Sequence, residues 1–425
     1  MRLIDRNWET LFVRHNILNQ IEENGFFIIT SAQINEVHEA RLMTKFDNRV
    51  NLPRIFQENQ ISILPLTRGS YILGNFDAYQ DLNNDTNIES TNFNLPAHIE
   101  SINYNDLYSE SACLHCAYVS GIIDDIAVEE TLPTISGRMS SGSFRFEIRN
   151  TVRGNTYPIS VENSQLEIDG GYESLNKLML VEAKNFTADD FLIRQLYYPY
   201  RLWKSKVTKD VIPIFMTFSN DVFSFFIYHF ENLNEYNSIR LVQQRNYVIA
   251  PEQITLDDIF EVLERVQIVQ EPAIPFPQAD SMVRIVDLLG ILMEHGELSA
   301  EYITLNYAFT DRQTAYYTTA AIYLGLVNKR RDGNTVYYFL SDVGRRIMSL
   351  RHKQKYLALA EQILKHEVFY RVLRRYFDTA SPVSKDEIIE IMNNCYLYNV
   401  HTQSTVQRRA QTVQKWIEWI LDLVD

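Results

Sequence analysis

The run Leu178-Met-Leu-Val-Glu-Ala-Lys184 constrains this chain more than any other stretch, because it is an apolar strand that ends in an acid and a base. Side chains alternate along a strand, so Glu182 and Lys184 share one face. Gln165 to Asp169 reads as the strand before it, with Gly170-Gly171 and the polar residues that follow as a turn. Thr187 suits a helix N-cap, with Asp189 and Asp190 in the first turn of a helix that continues to about Lys204. Val211 to Phe218 and Val222 to Phe230 read as two more strands, separated by Ser219-Asn220-Asp221. A helix over Leu107 to Asp125 and a strand-rich stretch from Ile135 to Ile148 come first. This order predicts an α/β core, a mixed sheet flanked by helices.

The core occupies the middle of a 425-residue chain, which is long enough for two or three domains. With 46% hydrophobic and 22% charged residues, the chain is expected to fold throughout. Residues 1–100 read as an N-terminal α+β module, with a helix from Trp8 to about Glu22 stopped by Asn24-Gly25, a strand from Phe26 to Thr30, a second helix after Ser31, and a hairpin from Ile61 to Phe76 turning at Arg68-Gly69. It has the outline of a possible second winged helix. Asp77 to about Ile102, rich in Asn, Asp and Ser, reads as a linker or surface loop. The core takes 101–270. The Pro-rich passage Glu271 to Gln278 then sets off a mainly α-helical region, 279–425.

Two carboxylates held a few Å apart repel unless a cation lies between them, and oxygen ligands select a hard ion such as Mg²⁺. If the two central strands pair, Asp169 reaches the edge that holds Glu182 and Lys184. A lysine there can address the attacking water or the scissile phosphate.

Asp169, twelve intervening residues and Glu182-Ala-Lys184 inside an apolar strand resemble the PD-(D/E)xK nuclease superfamily. The resemblance implies that Asp169 and Glu182 ligate Mg²⁺, with Mn²⁺ as a substitute, that Ala183 offers its carbonyl, and that Lys184 assists the nucleophile. Ile168 stands where the family's name has proline. An early helix often supplies another acid, for which Glu110 is a candidate. Gln195, in Arg194-Gln-Leu-Tyr-Tyr-Pro-Tyr-Arg-Leu-Trp, resembles the glutamine that many members carry on the next helix, although its spacing to the tyrosine differs. Acid, gap, Glu-x-Lys alone also occurs at ordinary salt-bridged strand edges.

The net charge of −14 is unevenly spread: residues 279–425 carry +1, the rest −15, and Lys329 to Arg375 alone carries +8. Such a run suits a phosphate backbone, or a solvated helix face. Helices from Ser281 to Gly296, from Leu298 to about Ala308 and from Thr310-Asp311 to Leu326, then a hairpin around Asp332-Gly333-Asn334, resemble a winged helix. That fold implies Arg312, Gln313, Tyr316 and Tyr317 facing the major groove, with Lys329, Arg330 and Arg331 on phosphate or the minor groove. Tyr316 or Tyr317 could instead be core, and winged helices also bind proteins. A basic helix over Leu357 to Phe377 follows. A final helix buries Val413, Trp416, Ile417 and Ile420, and presents Arg408, Arg409 and Lys415 near its exposed side for a second helix-turn-helix or a dimer contact.

Together these features most resemble a type II restriction endonuclease, a sequence-specific cutter of double-stranded DNA, with a homodimer implied by the resemblance. The alternatives are a DNA-binding regulator with an inactive nuclease fold, and a structure-specific repair or mobile-element nuclease. No phosphate-binding loop is present, so no nucleotide cofactor is expected. Cys113-Leu-His-Cys116 has no second half and reads as buried thiols. An odd count of three cysteines, no apolar run of about 18 to 20 residues and no signal-peptide centre lead to the expectation of a cytoplasmic protein with no membrane partner.

Overall fold

The computed structural model describes residues 2–85, 87–249, 252–400 and 402–424. In the N-terminal module the helix expected from Trp8 to Glu22 is two helices, Leu3–Arg14 and Ile17–Asn24, because Asn16 between them takes a φ of +51°. Trp8 is fully buried and its indole N–H donates to the carbonyl of Met43 at 2.9 Å. The strands Phe26–Thr30, Ser62–Pro65 and Ser70–Gly74 form one antiparallel sheet, with the hairpin turning around Arg68-Gly69 as read. The stretch read as a linker is tied in: Tyr79–Asp81 pairs with Asp190–Leu192, and Ser90–Phe93 joins the central sheet.

Among the described residues that sheet has seven strands: β1 (Ser90–Phe93), β2 (Leu132–Ser140), β3 (Gln165–Glu173), β4 (Lys177–Lys184), β5 (Asp210–Ser219), β6 (Val222–Phe230) and β7 (Ile239–Ile249), in the order β1-β7-β6-β5-β4-β3-β2. It is mixed, since β4 runs parallel to β5 and β7 parallel to β1 while the other pairs are antiparallel. Helix α1 (Glu110–Val119) covers one face and α2 (Arg194–Lys204) the other. Covered on both sides, β4 can be apolar along its length: Leu178 and Leu180 point to α2, and Met179, Val181 and Ala183 to α1. The helix expected over Leu107 to Asp125 breaks at Gly121, whose φ is +88°.

Gly170 and Gly171 are not a turn. They lie inside β3, and the chain reverses at Ser174 to Asn176. A Cβ on Gly171 would stand 2.7 Å from Cβ of Ile135 on β2, so the glycine serves close strand packing rather than chain reversal. The helix expected from Thr187 starts later, at Arg194: Thr187 donates its N–H to Asp287 and Asp190–Leu192 is a strand.

The C-terminal region begins with α3 (Met282–His295), capped by Ser281 and stopped at Gly296. A short strand, Glu297–Ser299, precedes the helix Ala300–Asn306, where one continuous helix was expected. Then come α4 (Asp311–Tyr323), with Thr310 as its cap, and the strands Val327–Asp332 and Thr335–Leu340, the latter central in a three-stranded sheet. The helix expected over Leu357 to Phe377 is two, α5 (His352–Leu364) and Glu367–Thr379. The last helix, α6 (Gln403–Leu421), buries Val413, Trp416, Ile417 and Ile420 as its spacing predicts.

The turn from Ser219 to Asp221 ties this region to the core. The Ser219 hydroxyl donates to Asp287 of α3 at 2.7 Å, and Asp221 receives the Lys355 ammonium at 2.8 Å and faces the His352 ring at 2.9 Å, both on α5. Burial pushes the Asp287 carboxyl up to about 6 against its donors, Thr187 and Ser219. Asp221 is also desolvated, yet Lys355 and His352 hold it below the usual carboxylate range. Among the described residues no helix is long and apolar enough to cross a membrane.

Candidate active site

Strands β3 and β4 stay paired only as far as Gly170 and Val181. Beyond that point β3 follows β2, with Ile168 opposite Gly137, while β4 stays with β5. The two strands therefore fork, and Asp169 stands at the fork. Its orientation comes from an irregularity: the three residues Ile135 to Gly137 of β2 face the four residues Gly171 to Ile168 of β3. Such a bulge shifts the alternation, so Ile168 joins the core under α2 whereas Tyr172 packs under α1. Gly137 takes a φ of +89° within it, a conformation a side chain would strain.

Into this fork the Ala183 N–H donates to Oδ2 of Asp169 at 2.8 Å. In a strand the N–H and C=O of one residue share an edge, so the Ala183 carbonyl also faces the fork. Glu182 and Lys184 point to the α2 side, where Nζ of Lys184 lies 2.7 Å from Oε1 of Glu182. Gln195, in the first turn of α2, donates its Nε2 to the same Oε1. Glu110 opens α1, after its cap Ser109, and lies 3.8 Å from Nζ of Lys184. Asp169, Glu182, Ala183, Lys184, Gln195 and Glu110, proposed from sequence, thus converge on one place.

The electrostatics are those of a crowded acidic site around one cation. Glu182 is 8% exposed, and burial first, then Asp169, pushes its carboxyl up to about 8 despite Lys184. Burial also raises Glu110, with Asp169 adding to it and Lys184 opposing. Burial pulls Lys184 down, but Glu182, Glu110, Asp47 and Asp169 together hold it well above the ordinary lysine range, so it stays charged. Asp47 is the participant that sequence reading missed. It belongs to the N-terminal module, and its carbonyl accepts the Leu192 N–H at 2.9 Å, three residues before Gln195. Asn48 and Arg49 beside it bond Asp190. No spacing rule could find Asp47, because its approach depends on how the module docks.

Among the described residues no three Asp, Glu, His or Cys side chains are close enough to enclose an ion. Mg²⁺ does not require that, since it is commonly held by one or two carboxylates with water and substrate phosphate completing the shell. The all-oxygen set of Asp169, Glu182 and the Ala183 carbonyl fits that manner of binding. So does the buried, unpartnered Oε1 of Gln195 beside it. Cys113 and Cys116 are buried thiols inside α1.

The residues proposed to touch DNA divide by environment. Arg312 is exposed and stacks on Tyr316, its guanidinium carbon 5.1 Å from the ring centre, while Gln313 is half-buried and caps Thr310. Tyr317 turns inward against Phe309 and leaves the surface. On the hairpin Lys329 and Arg331 are exposed, but Arg330 is tied to Glu297 at 2.5 Å and stacks on Tyr337.

Three family models match successive stretches of the chain, each described as a domain of unknown function: residues 5–73 (DUF6996), 74–248 (DUF6997) and 284–425 (DUF7226). No curated protein and no solved structure matches it. The side chains of the forked site all fall within 74–248 except Asp47, which comes from the first stretch, and the arginines of α4 and the hairpin fall within the third.

Proposed function

We propose that this chain is a metal-dependent DNA endonuclease of the PD-(D/E)xK kind, acting on double-stranded DNA as a type II restriction enzyme does. The carrying observation is the fork itself. An acid on one strand, an acid and a lysine on the next, a glutamine on the following helix and a glutamate on the preceding one meet where two paired strands of a mixed sheet separate.

When bound, Mg²⁺ would neutralise charge on the phosphate and lower the pKa of a bound water. Asp169, Glu182 and the Ala183 carbonyl would hold it. Lys184, kept protonated by its acidic neighbours, can donate to the attacking water or to a phosphate oxygen. Gln195 fixes the Glu182 carboxylate, so little reorganisation is needed when substrate arrives.

The DNA part of the reading rests on the C-terminal region, whose order of helix, short strand, two helices and basic hairpin resembles that of a winged helix and supports the reading. A homodimer would let two such sites cut both strands. The test is digestion of circular plasmid DNA with Mg²⁺ or Mn²⁺, followed by sequencing of the ends. Recurrent ends at one short sequence are expected. Cuts confined to branched or nicked DNA would favour a repair or mobile-element nuclease, and binding without cleavage an inactive regulator.

A further inference from the structure

The segment that follows β4, Asn185 to Asp189, runs along α3, the first helix of the C-terminal region. Asn185 donates its side-chain amide to Glu294 at 2.9 Å, the Thr187 N–H donates to Asp287 at 2.8 Å, and Asp189 receives the Arg284 guanidinium. Every second residue of the segment is thus bonded to α3, and the partners step back along the helix as the segment advances. The lengths agree: four residues of extended chain span about 14 Å, and the ten from Arg284 to Glu294 rise about 15 Å in a helix. Between these bonds Phe186 is buried against Tyr307, edge to face at 5.5 Å.

Asn185 has a second partner. Its amide also donates to the carbonyl of Tyr108, two residues before Glu110. Because Nζ of Lys184 lies 3.8 Å from Glu110, the end of β4 and the start of α1 meet at two successive points, Lys184 with Glu110 and Asn185 with Tyr108. Tyr108 is itself held by the C-terminal region: its hydroxyl donates to the carbonyl of Met348, and its ring lies on Gly290 in the middle of α3. A Cβ on Gly290 would stand 3.3 Å from that ring, which accounts for a glycine in a helix interior where alanine is intrinsically preferred. An amide suits position 185, since it offers two N–H donors to two oxygens, whereas a carboxylate would offer none.

Building on the nuclease reading above, we propose that Asn185 is a positioning residue for cleavage: through its two bonds, α3 fixes the end of β4 that carries Lys184 against the start of α1 that carries Glu110. On this account the C-terminal region does more than bring DNA to the core. Its first helix holds two side chains of the forked site at their working separation, and a misplacement of about 1 Å at such a site can cost about a hundredfold in rate.

Single-turnover cleavage at saturating enzyme, with duplex affinity measured in Ca²⁺ to suppress cutting, separates positioning from binding. Asn185→Ala should slow cleavage by roughly tenfold with affinity unchanged. Asn185→Asp should slow it by roughly a hundredfold, because a carboxylate there faces both the Tyr108 carbonyl and Glu294. Adding Glu294→Gln to Asn185→Asp returns a donor to that carboxylate and should recover roughly tenfold. A wild-type rate in Asn185→Ala would overturn this role while leaving the nuclease reading intact. So would a loss of affinity as large as the loss of rate, since Asn185 would then be holding the C-terminal region rather than the site. A double variant no faster than Asn185→Asp would overturn it as well. A wild-type protein that binds duplex and never cuts it would remove the nuclease reading and this role together.

Discussion

The main-chain N–H of Ala183 bonds the carboxylate of Asp169 at 2.8 Å, the contact that bridges two strands just after their own ladder has ended. A side chain takes over where main-chain pairing stops, which leaves the Ala183 edge facing an acid. The bulge that turns Asp169 toward Ala183 therefore matters as much as the acid itself.

Gln195 should act through Glu182. Its Nε2 is the neutral donor on Oε1, while Lys184 supplies the charge. Replacing Gln195 by Ala frees that carboxylate to rotate, and losses of about ten- to a hundredfold in metal affinity or rate are usual for such supporting contacts. The expected signature is a higher Mg²⁺ requirement for cleavage with duplex affinity unchanged. A normal Mg²⁺ titration would remove Gln195 from the site.

Stability should depend on pH through Glu182. Its carboxyl is held at about 8 in the folded protein against 4.5 as a free side chain. Between those values the folded state keeps a proton that the unfolded state has lost, so stability falls as pH rises, by up to about 1.4 kcal/mol per pH unit. Asp287, raised to about 6, contributes in the same direction over a lower range. Urea midpoints without divalent ions should drop from pH 6 to pH 8.5, and Glu182→Gln should flatten that fall. Parallel curves would contradict the assignment.

The Asp221 turn should be the most sensitive point between core and C-terminal region. The Lys355 side chain is 3% exposed, so Asp221→Asn leaves a buried ammonium with only neutral partners. Breaking a buried pair in this way costs about 3 to 5 kcal/mol. Asparagine tolerates the +63° φ of this position, so backbone strain adds little. Denaturant unfolding of Asp221→Asn, and of Asp221→Asn with Lys355→Met, measures this. The double variant should recover part of the loss.

The basic residues of the hairpin should not contribute equally. Neutralising Lys329 and Arg331 should reduce the salt slope of duplex binding by about 1.8, whereas Arg330→Gln should change it little, because Glu297 already neutralises Arg330. Equal effects at all three positions would show that Arg330 leaves Glu297 when DNA binds.

Local spacing made the centre of the site legible. Glu182 and Lys184 are two apart on a strand that the apolar run identifies, and Asp169 lies one short connection earlier. Glu110 had no motif, yet capping by Ser109 places it at the start of a helix that points at Lys184. What local rules misread was tertiary. Gly170-Gly171 suggested a turn, but glycine also permits close packing, and only the proximity of Ile135 decides between the two. Thr187 has a cap's chemistry, but its N–H is committed to Asp287, a hundred residues away. Arg330 looked free for DNA until the strand Glu297–Ser299 brought a glutamate to it.

Plasmid cleavage by wild type, Asp169→Ala and Lys184→Ala, each titrated with Mg²⁺ and matched for duplex affinity, tests the central claim most directly. The forked site predicts Mg²⁺-dependent cutting by the wild type and a loss of at least about a hundredfold in both variants, with DNA binding retained. Wild-type cutting by either variant, or no cutting by the wild type with any divalent ion, would contradict it.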